Sequence, residues 1–175
     1  MRLFLIALVS LLLAAPLAAQ QQRREPLTEQ QQDDLAEAGI APVVRVNLYV
    51  KYLNGYADTI QALIPRAKTP ARARRMDDEL EDFSALMDEL DDNLDVYSKR
   101  KADIRKSLKG LNESIARWQQ QLRDLASEPG FDLALKDAIA SANDLAEEAK
   151  QLTADQEAYF KAHPEEKGQD RWEPK

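Results

Sequence analysis

Pro70-ARARRMDDELEDFSALMDELDDNLDVYSKRKADIRKSLKGLNESIARWQQQLRDLASE-Pro129 is the stretch on which the fold turns. No proline interrupts it. Apolar residues recur through it at alternating spacings of three and four. One series reads Ala73, Leu80, Met87, Leu94, Lys101, Leu108, Ile115, Leu122. The other reads Met76, Phe83, Leu90, Tyr97, Ile104, Leu111, Trp118, Leu125. Lys101 alone is not apolar. Side chains spaced this way share one stripe of an α-helix, and eight heptads of it make a coiled-coil-like pattern. The phase runs without a skip through the polar segment Ser98–Asp103 and through Gly110. It predicts one unbroken helix over about 70–127, roughly 87 Å long at about 1.5 Å per residue. The alternative is a compact four-helix bundle, with the stretch broken near 98–103 or at 110.

Working outward, Thr69-Pro70 reads as cap and first helical residue, and Pro65–Pro70 as a linker. Before it, 42–64 is open to two readings. Val44, Val46, Leu48, Val50 and Tyr52 alternate as a strand would, ahead of Asn54-Gly55. Val46, Tyr49, Leu53, Ala57, Ile60 and Ile64 also form a helical stripe. No second strand is available for pairing, so a helix is expected, with Pro42 in its first turn. Thr28 and Gln31 have capping-box spacing for a short helix at 29–38 that stops at Gly39. After Glu128-Pro129-Gly130 a last helix is expected over 131–162. Its stripe is Leu135, Ala138, Ala142, Leu145, Ala149, Leu152, Gln156 and Tyr159, and its many alanines suit close helix packing. Short connections make successive helices antiparallel neighbours. The expected object is therefore all-α. It is an elongated antiparallel rod on the long helix, with 42–64 covering one half and 131–162 the other. Residues 29–162 form one domain, with a flexible lead-in at 20–28 and a disordered tail at 163–175. Composition does not explain Trp172 in that tail.

Residues 1–19 have the layout of a secretory signal peptide: Arg2, a thirteen-residue apolar run Leu3–Ala15, then Pro16 and small residues. Cleavage is expected after Ala19, giving an exported, periplasmic or secreted chain. The run is short for a membrane span, so no stable membrane insertion is expected after cleavage. The chain has no cysteine, which excludes disulfides, thiol chemistry and a cysteine-linked lipid anchor. It carries 24 Lys+Arg against 31 Asp+Glu, and loss of the leader removes only Arg2. An acidic chain is a poor partner for nucleic acid or anionic membrane. Charge alone suits cationic partners or simple solubility, the second being the default for an exported protein.

Charge is segregated along the long stretch. Ten acids and no base lie from Asp77 to Asp95: Asp77, Asp78, Glu79, Glu81, Asp82, Asp88, Glu89, Asp91, Asp92 and Asp95. Bases then dominate from Lys99 to Lys109. Two such helices laid antiparallel about residue 100 would stack acid on base, in a homodimer or within one folded-back chain. The plainer reading is a solvated face.

Chemistry is sparse in the pattern. His163, the one histidine, sits at a helix end beside a proline, where it suits the C-terminal dipole. Ser84, Ser98, Ser107, Ser114, Ser127 and Ser141 have no histidine near them in sequence to activate them. Asp88, Asp91, Asp92 and Asp95 share one helical face, yet a straight face supplies too few oxygens for a hard cation. Asn112-Glu113-Ser114 has N-glycosylation spacing inside a helix. Tyr49, Tyr52 and Tyr56 read as core. No catalytic, cofactor-binding or metal-binding residues are assigned, and no enzyme is expected.

Leu27-Thr28-Glu29-Gln30-Gln31 is similar to the L-T-x-x-Q motif of the exported, helical, ATP-independent Spy-like stress chaperones. The likeness covers five residues in one copy, where that family usually carries two, and the capping box alone accounts for it. The expected function is that of a non-enzymatic scaffold or protein-interaction module in the cell envelope. The alternative is a periplasmic chaperone or stress-related binder.

Overall fold

The computed structural model describes residues 25–39 and 41–168. The expected leader, residues 20–24 and Trp172 lie outside the described residues. The protein is all-α: α1 Glu29–Glu37, α2 Pro42–Leu63, α3 Pro70–Arg100, α4 Arg105–Asp124, α5 Asp132–Ala162, then a 3-10 turn Pro164–Glu166. No strand occurs among the described residues, and α2 runs as a helix straight through Gly55.

The unbroken 70–127 helix does not exist: the chain stops at Arg100 and restarts at Arg105. The stop is a Schellman motif. Lys101 adopts the left-handed conformation (φ 57°, ψ 34°). Its N–H donates to Ser98 O at 3.1 Å, and the Ala102 N–H donates to Tyr97 O at 3.0 Å. Glycine is the usual residue here, since a side chain in this conformation costs roughly 1–2 kcal/mol. Lys101 is the one non-glycine residue with positive φ among those described. What offsets the cost is burial: Ala102, Ile104 and Tyr97 are all inside.

Phase continuity survives the break for a simple reason. Tyr97 is the last inward residue of α3 and Ile104 the first past the turn, one heptad on. Both helices face the same core, so both keep the 3-4 spacing. Every stripe residue except Ala73 and Lys101 is buried.

Successive helices run antiparallel, and the side-chain register fixes their placement. Tyr49 donates to Glu89 Oε1 (2.6 Å) and Arg72 Nε to Leu63 O (2.9 Å), aligning α2 against α3. Asn112 Nδ2 reaches Thr153 Oγ1 (3.1 Å) and Gln119 Nε2 reaches Asn143 Oδ1 (2.9 Å), aligning α4 against α5. Two further seams are parallel. Ser107 Oγ meets Val43 O (3.2 Å) and Trp118 Nε1 meets Asn54 Oδ1 (2.9 Å) between α4 and α2. Asp77 lies near Asp132, and Asp91 near Asp144 and Glu148, between α3 and α5. Helices α3 and α4, though joined directly, occupy opposite corners with α2 and α5 between them. Phe83 and Trp118 meet edge-to-face across the core at 5.8 Å. At about 1.5 Å per residue, the longest helices, at 31 residues, span about 46 Å. Because α3 and α4 are diagonal, folding back does not lay the acidic half over the basic half.

Packing contacts reach beyond 29–162. Leu27 is buried and Pro26 O accepts from the Tyr56 hydroxyl, so the lead-in is docked from residue 26. Thr28 and Gln31 form the expected capping box. Past Ala162 come the 3-10 turn and Gly168, whose N–H donates to Asp103 Oδ2 at 2.9 Å. At the other end, Gly130 has φ 105° and lies against Ala73, where a Cβ would come within 3.3 Å. Only glycine fits that turn into α5.

Candidate functional site

Two polar constellations stand out from the packing. The first is the α3–α4 turn. A buried turn must satisfy its own backbone groups. Gln156, projecting from α5, does this with one side chain: Nε2 donates to Ala102 O (2.7 Å) and Oε1 accepts from Ile104 N (3.1 Å). Asp103 beside it accepts from Arg105 Nε (2.9 Å), Arg105 Nη2 (2.7 Å), Arg105 N and Gly168 N. The Arg105 hydrogen bonds, opposed by burial and helped by the Gly168 N–H, hold the Asp103 carboxyl down at about 2. The Arg105 guanidinium lies 4.5 Å from the Phe160 ring centroid, and Lys101 Nζ lies 5.4 Å from that of Tyr159. These groups are matched to one another and lock one end of the bundle.

The second is the acidic run, which does not act as one face. Glu79 and Asp82 are buried, and Glu79 pairs with Arg75 at 2.6 Å. Glu89 takes the Tyr49 hydroxyl. Asp95 pairs with Lys99 at 2.5 Å. Asp88 and Asp92 are exposed. Asp91 turns into the α3–α5 seam. Its Oδ1 is buried without a hydrogen-bond partner. Burial, then Glu148, Asp92, Asp144 and Asp88, push its carboxyl up to about 6. Two parallel helices thus bring acids from both sides onto one seam. The same like-charge crowding, after burial, raises Asp77 near Asp78 and Asp132.

A testable pH dependence follows. Folded Asp91 holds its proton more tightly than the unfolded chain, whose aspartates titrate near 3.9. Stability therefore falls as pH rises from about 4 to about 6, and the deficit persists above that. Asp91→Asn is expected to raise unfolding free energy by about 1–2 kcal/mol at neutral pH, after discounting for solvent screening. The gain should vanish below about pH 4. Urea denaturation across pH 3.5–8 measures it. A gain independent of pH would contradict the assignment.

The other sequence candidates have structural duties. Tyr49 and Tyr52 are buried, with hydroxyls on Glu89 and Asp34 (2.8 Å); Tyr56 ties to Pro26. Burial, and then the Asp34 bond, push Tyr52 up to about 12. Ser84 and Ser107 give their hydroxyls to Leu80 O and Val43 O. Asn112 is held between Leu108 O and Thr153, which leaves the sequon's amide engaged. His163 ends α5 and lies 3.6 Å from Glu165 Oε1.

No protein-family model, curated protein or solved structure matches this chain. Function must be argued from its own surface. Open clefts of about 490 Å³ beside Asp58 and Arg75 and about 410 Å³ beside Leu108 and Thr153 lie along helix surfaces. No histidine lines either. Sequence reading missed Gln156 and Arg72 as the polar groups that matter most. For Gln156 a signal existed: an amide on an otherwise apolar stripe.

Proposed function

We propose that this protein works without catalysis, as an exported helical bundle whose acidic α3–α5 face receives a cationic segment of another envelope protein. Export rests on the layout of residues 1–19; no described helix is long and apolar enough to cross a membrane. The observation that carries the reading is the Asp91 seam. Asp91, Asp144 and Glu148 crowd together, with Asp88 and Asp92 alongside. Like charges so arranged weaken the fold and are relieved when a cationic partner covers them. The interior is closed by packed Leu, Met, Phe and Trp side chains, so recognition falls to the outside. The chaperone alternative has less support, because the exposed large apolar residues among the described ones are few: Val44, Ile64, Val96 and Leu133.

Fluorescence anisotropy with a labelled Lys/Arg-rich peptide tests the proposal. Binding should weaken with salt. It should fall at least about tenfold in Asp91→Asn/Asp92→Asn/Asp144→Asn/Glu148→Gln, since each lost charge contributes on the order of 0.5–1 kcal/mol. Equal binding by that variant, or no binding at low salt, overturns it. Suppression of client aggregation at near-stoichiometric amounts, unchanged in the variant, would favour the chaperone reading instead.

A further inference from the structure

The sequence Tyr159-Phe-Lys-Ala-His163-Pro-Glu165-Glu166 assembles a cluster distinct from the acidic seam. Helix α5 ends at Ala162 because Pro164 cannot continue it. The chain tightens into the 3-10 turn Pro164–Glu166, closed by the Glu166 N–H donating to His163 O at 3.1 Å. Three residues per turn brings positions i and i+3 over one another, so His163 and Glu166 share a side. Glu165 Oε1 lies 3.6 Å from His163 Nδ1. One ligand atom from each of the three residues falls within 4.8 Å of the others.

The cluster is also oriented from behind. Tyr159, one turn earlier, donates its hydroxyl to Glu166 Oε2 at 2.5 Å. Its ring faces the His163 imidazole with centroids 4.6 Å apart, tilted by 35°. Tyr159 is itself fixed edge-on to the buried Phe160 at 5.2 Å. Groups that orient a ligating carboxylate and imidazole in this way are what make a ligand set selective rather than incidental.

We propose that His163, Glu165 and Glu166 bind one divalent transition-metal ion of the Zn²⁺ type, with Tyr159 as positioning residue and water completing the coordination. A neutral imidazole and two carboxylates carry the two negative charges such an ion needs. Ligand atoms at about 2.0–2.2 Å from a tetrahedral ion lie roughly 3.4 Å apart. The 3.6 Å His163–Glu165 separation is close to that, and a change of rotamer at the exposed Glu165 side chain closes the rest. A nitrogen donor favours Zn²⁺, Ni²⁺ or Co²⁺ over Mg²⁺ or Ca²⁺, which take all-oxygen shells. This inference is independent of the cationic-partner reading.

Isothermal titration of the tag-free chain with Zn²⁺, in excess Mg²⁺ to occupy general acidic surface, tests it. The expected result is one ion per chain, with affinity reduced at least about tenfold in His163→Ala and in Glu166→Gln, and several-fold in Tyr159→Phe. Co²⁺ substitution should give a visible d–d spectrum that disappears in His163→Ala. Glu157→Gln, on the exposed side of α5, should change nothing. Circular dichroism checks that each variant folds. Zn²⁺ binding unaltered by His163→Ala, or absent at millimolar Zn²⁺, overturns the site and leaves a surface ion pair only.

Discussion

Gln156→Leu is expected to destabilise the bundle by about 2–4 kcal/mol, although leucine fits the apolar surroundings better than the amide does. The loss is in hydrogen bonds. Gln156 is buried, and its side chain is the partner of both Ala102 O and Ile104 N in the turn that folds α4 back. Leaving a buried donor or acceptor unmade costs about 1–3 kcal/mol each, and leucine recovers part through burial. Gln156→Glu separates the two bonds. A carboxylate can accept from Ile104 N but cannot donate to Ala102 O until it is protonated. Its deficit at neutral pH should therefore shrink in acid, opposite to the behaviour of a surface carboxylate. Chemical denaturation at two pH values measures both variants. A loss below about 0.5 kcal/mol for leucine would mean that the turn holds without this clamp.

At the opposite end of the bundle, Arg72→Leu is expected to cost about 2–4 kcal/mol. Arg72 is buried at the start of α3, with its side chain 5 % exposed. Its Nε donates to Leu63 O (2.9 Å) and Nη2 to Ile64 O (3.5 Å), satisfying carbonyls at the end of α2. Its Nη1 binds Glu128 Oε2 (2.9 Å) in the α4–α5 connection. One guanidinium thus joins three segments. Lys68 also reaches Glu128, at 2.9 Å, so the carboxylate keeps one partner when Arg72 is lost. Leu63 O likewise keeps the Arg66 N–H at 3.2 Å, so the cost falls on Ile64 O, on the lost guanidinium packing and on an unpinned connection. Arg72→Lys should rescue little, because a single ammonium cannot copy the fork. Arg72 and Gln156 act at opposite ends without shared partners, so the double variant should lose the sum of the two single effects. Thermal and urea unfolding give both values.

The fold was legible where burial repeats with a period. Residues Met76 to Leu125 on the stripe, Lys101 apart, were placed correctly inside, and helical period decided 42–64 against its strand-like alternation. The break was legible only as the alternative near 98–103, because no strong helix breaker marks it. Ser98-Lys-Arg-Lys-Ala-Asp103 has no glycine, proline or asparagine. A lysine in the left-handed conformation is held by tertiary burial of Tyr97, Ala102 and Ile104, which overrides local preference. Two polar intrusions into apolar stripes, Lys101 and Gln156, marked the turn and its clamp from either side. They are 55 positions apart in sequence, and only the fold connects them.

The acidic run was equally visible along α3, but its partners were not. Chain order predicts α5 beside α4. It gives no hint that α5 also lies parallel to α3, which is what brings Asp144 and Glu148 onto Asp91. His163 was readable as a helix-end residue. The 3-10 turn that returns Glu165 and Glu166 to it lies in a segment whose composition reads as tail. Composition gives no direction to a polar side chain, and that is why the seam and the cluster emerged only with coordinates.

The central claim is that the stripe-bearing stretch is two helices folded back at residues 101–104. The absence of native cysteine permits a direct measurement. Spin labels at Glu81→Cys and Gln120→Cys, both on exposed positions of α3 and α4, report one distance by pulsed electron resonance. The folded-back bundle predicts about 20–30 Å, the width of a helical bundle plus the label arms. A peak near 58 Å, the length of an unbroken helix between the two positions at about 1.5 Å per residue, would contradict the account.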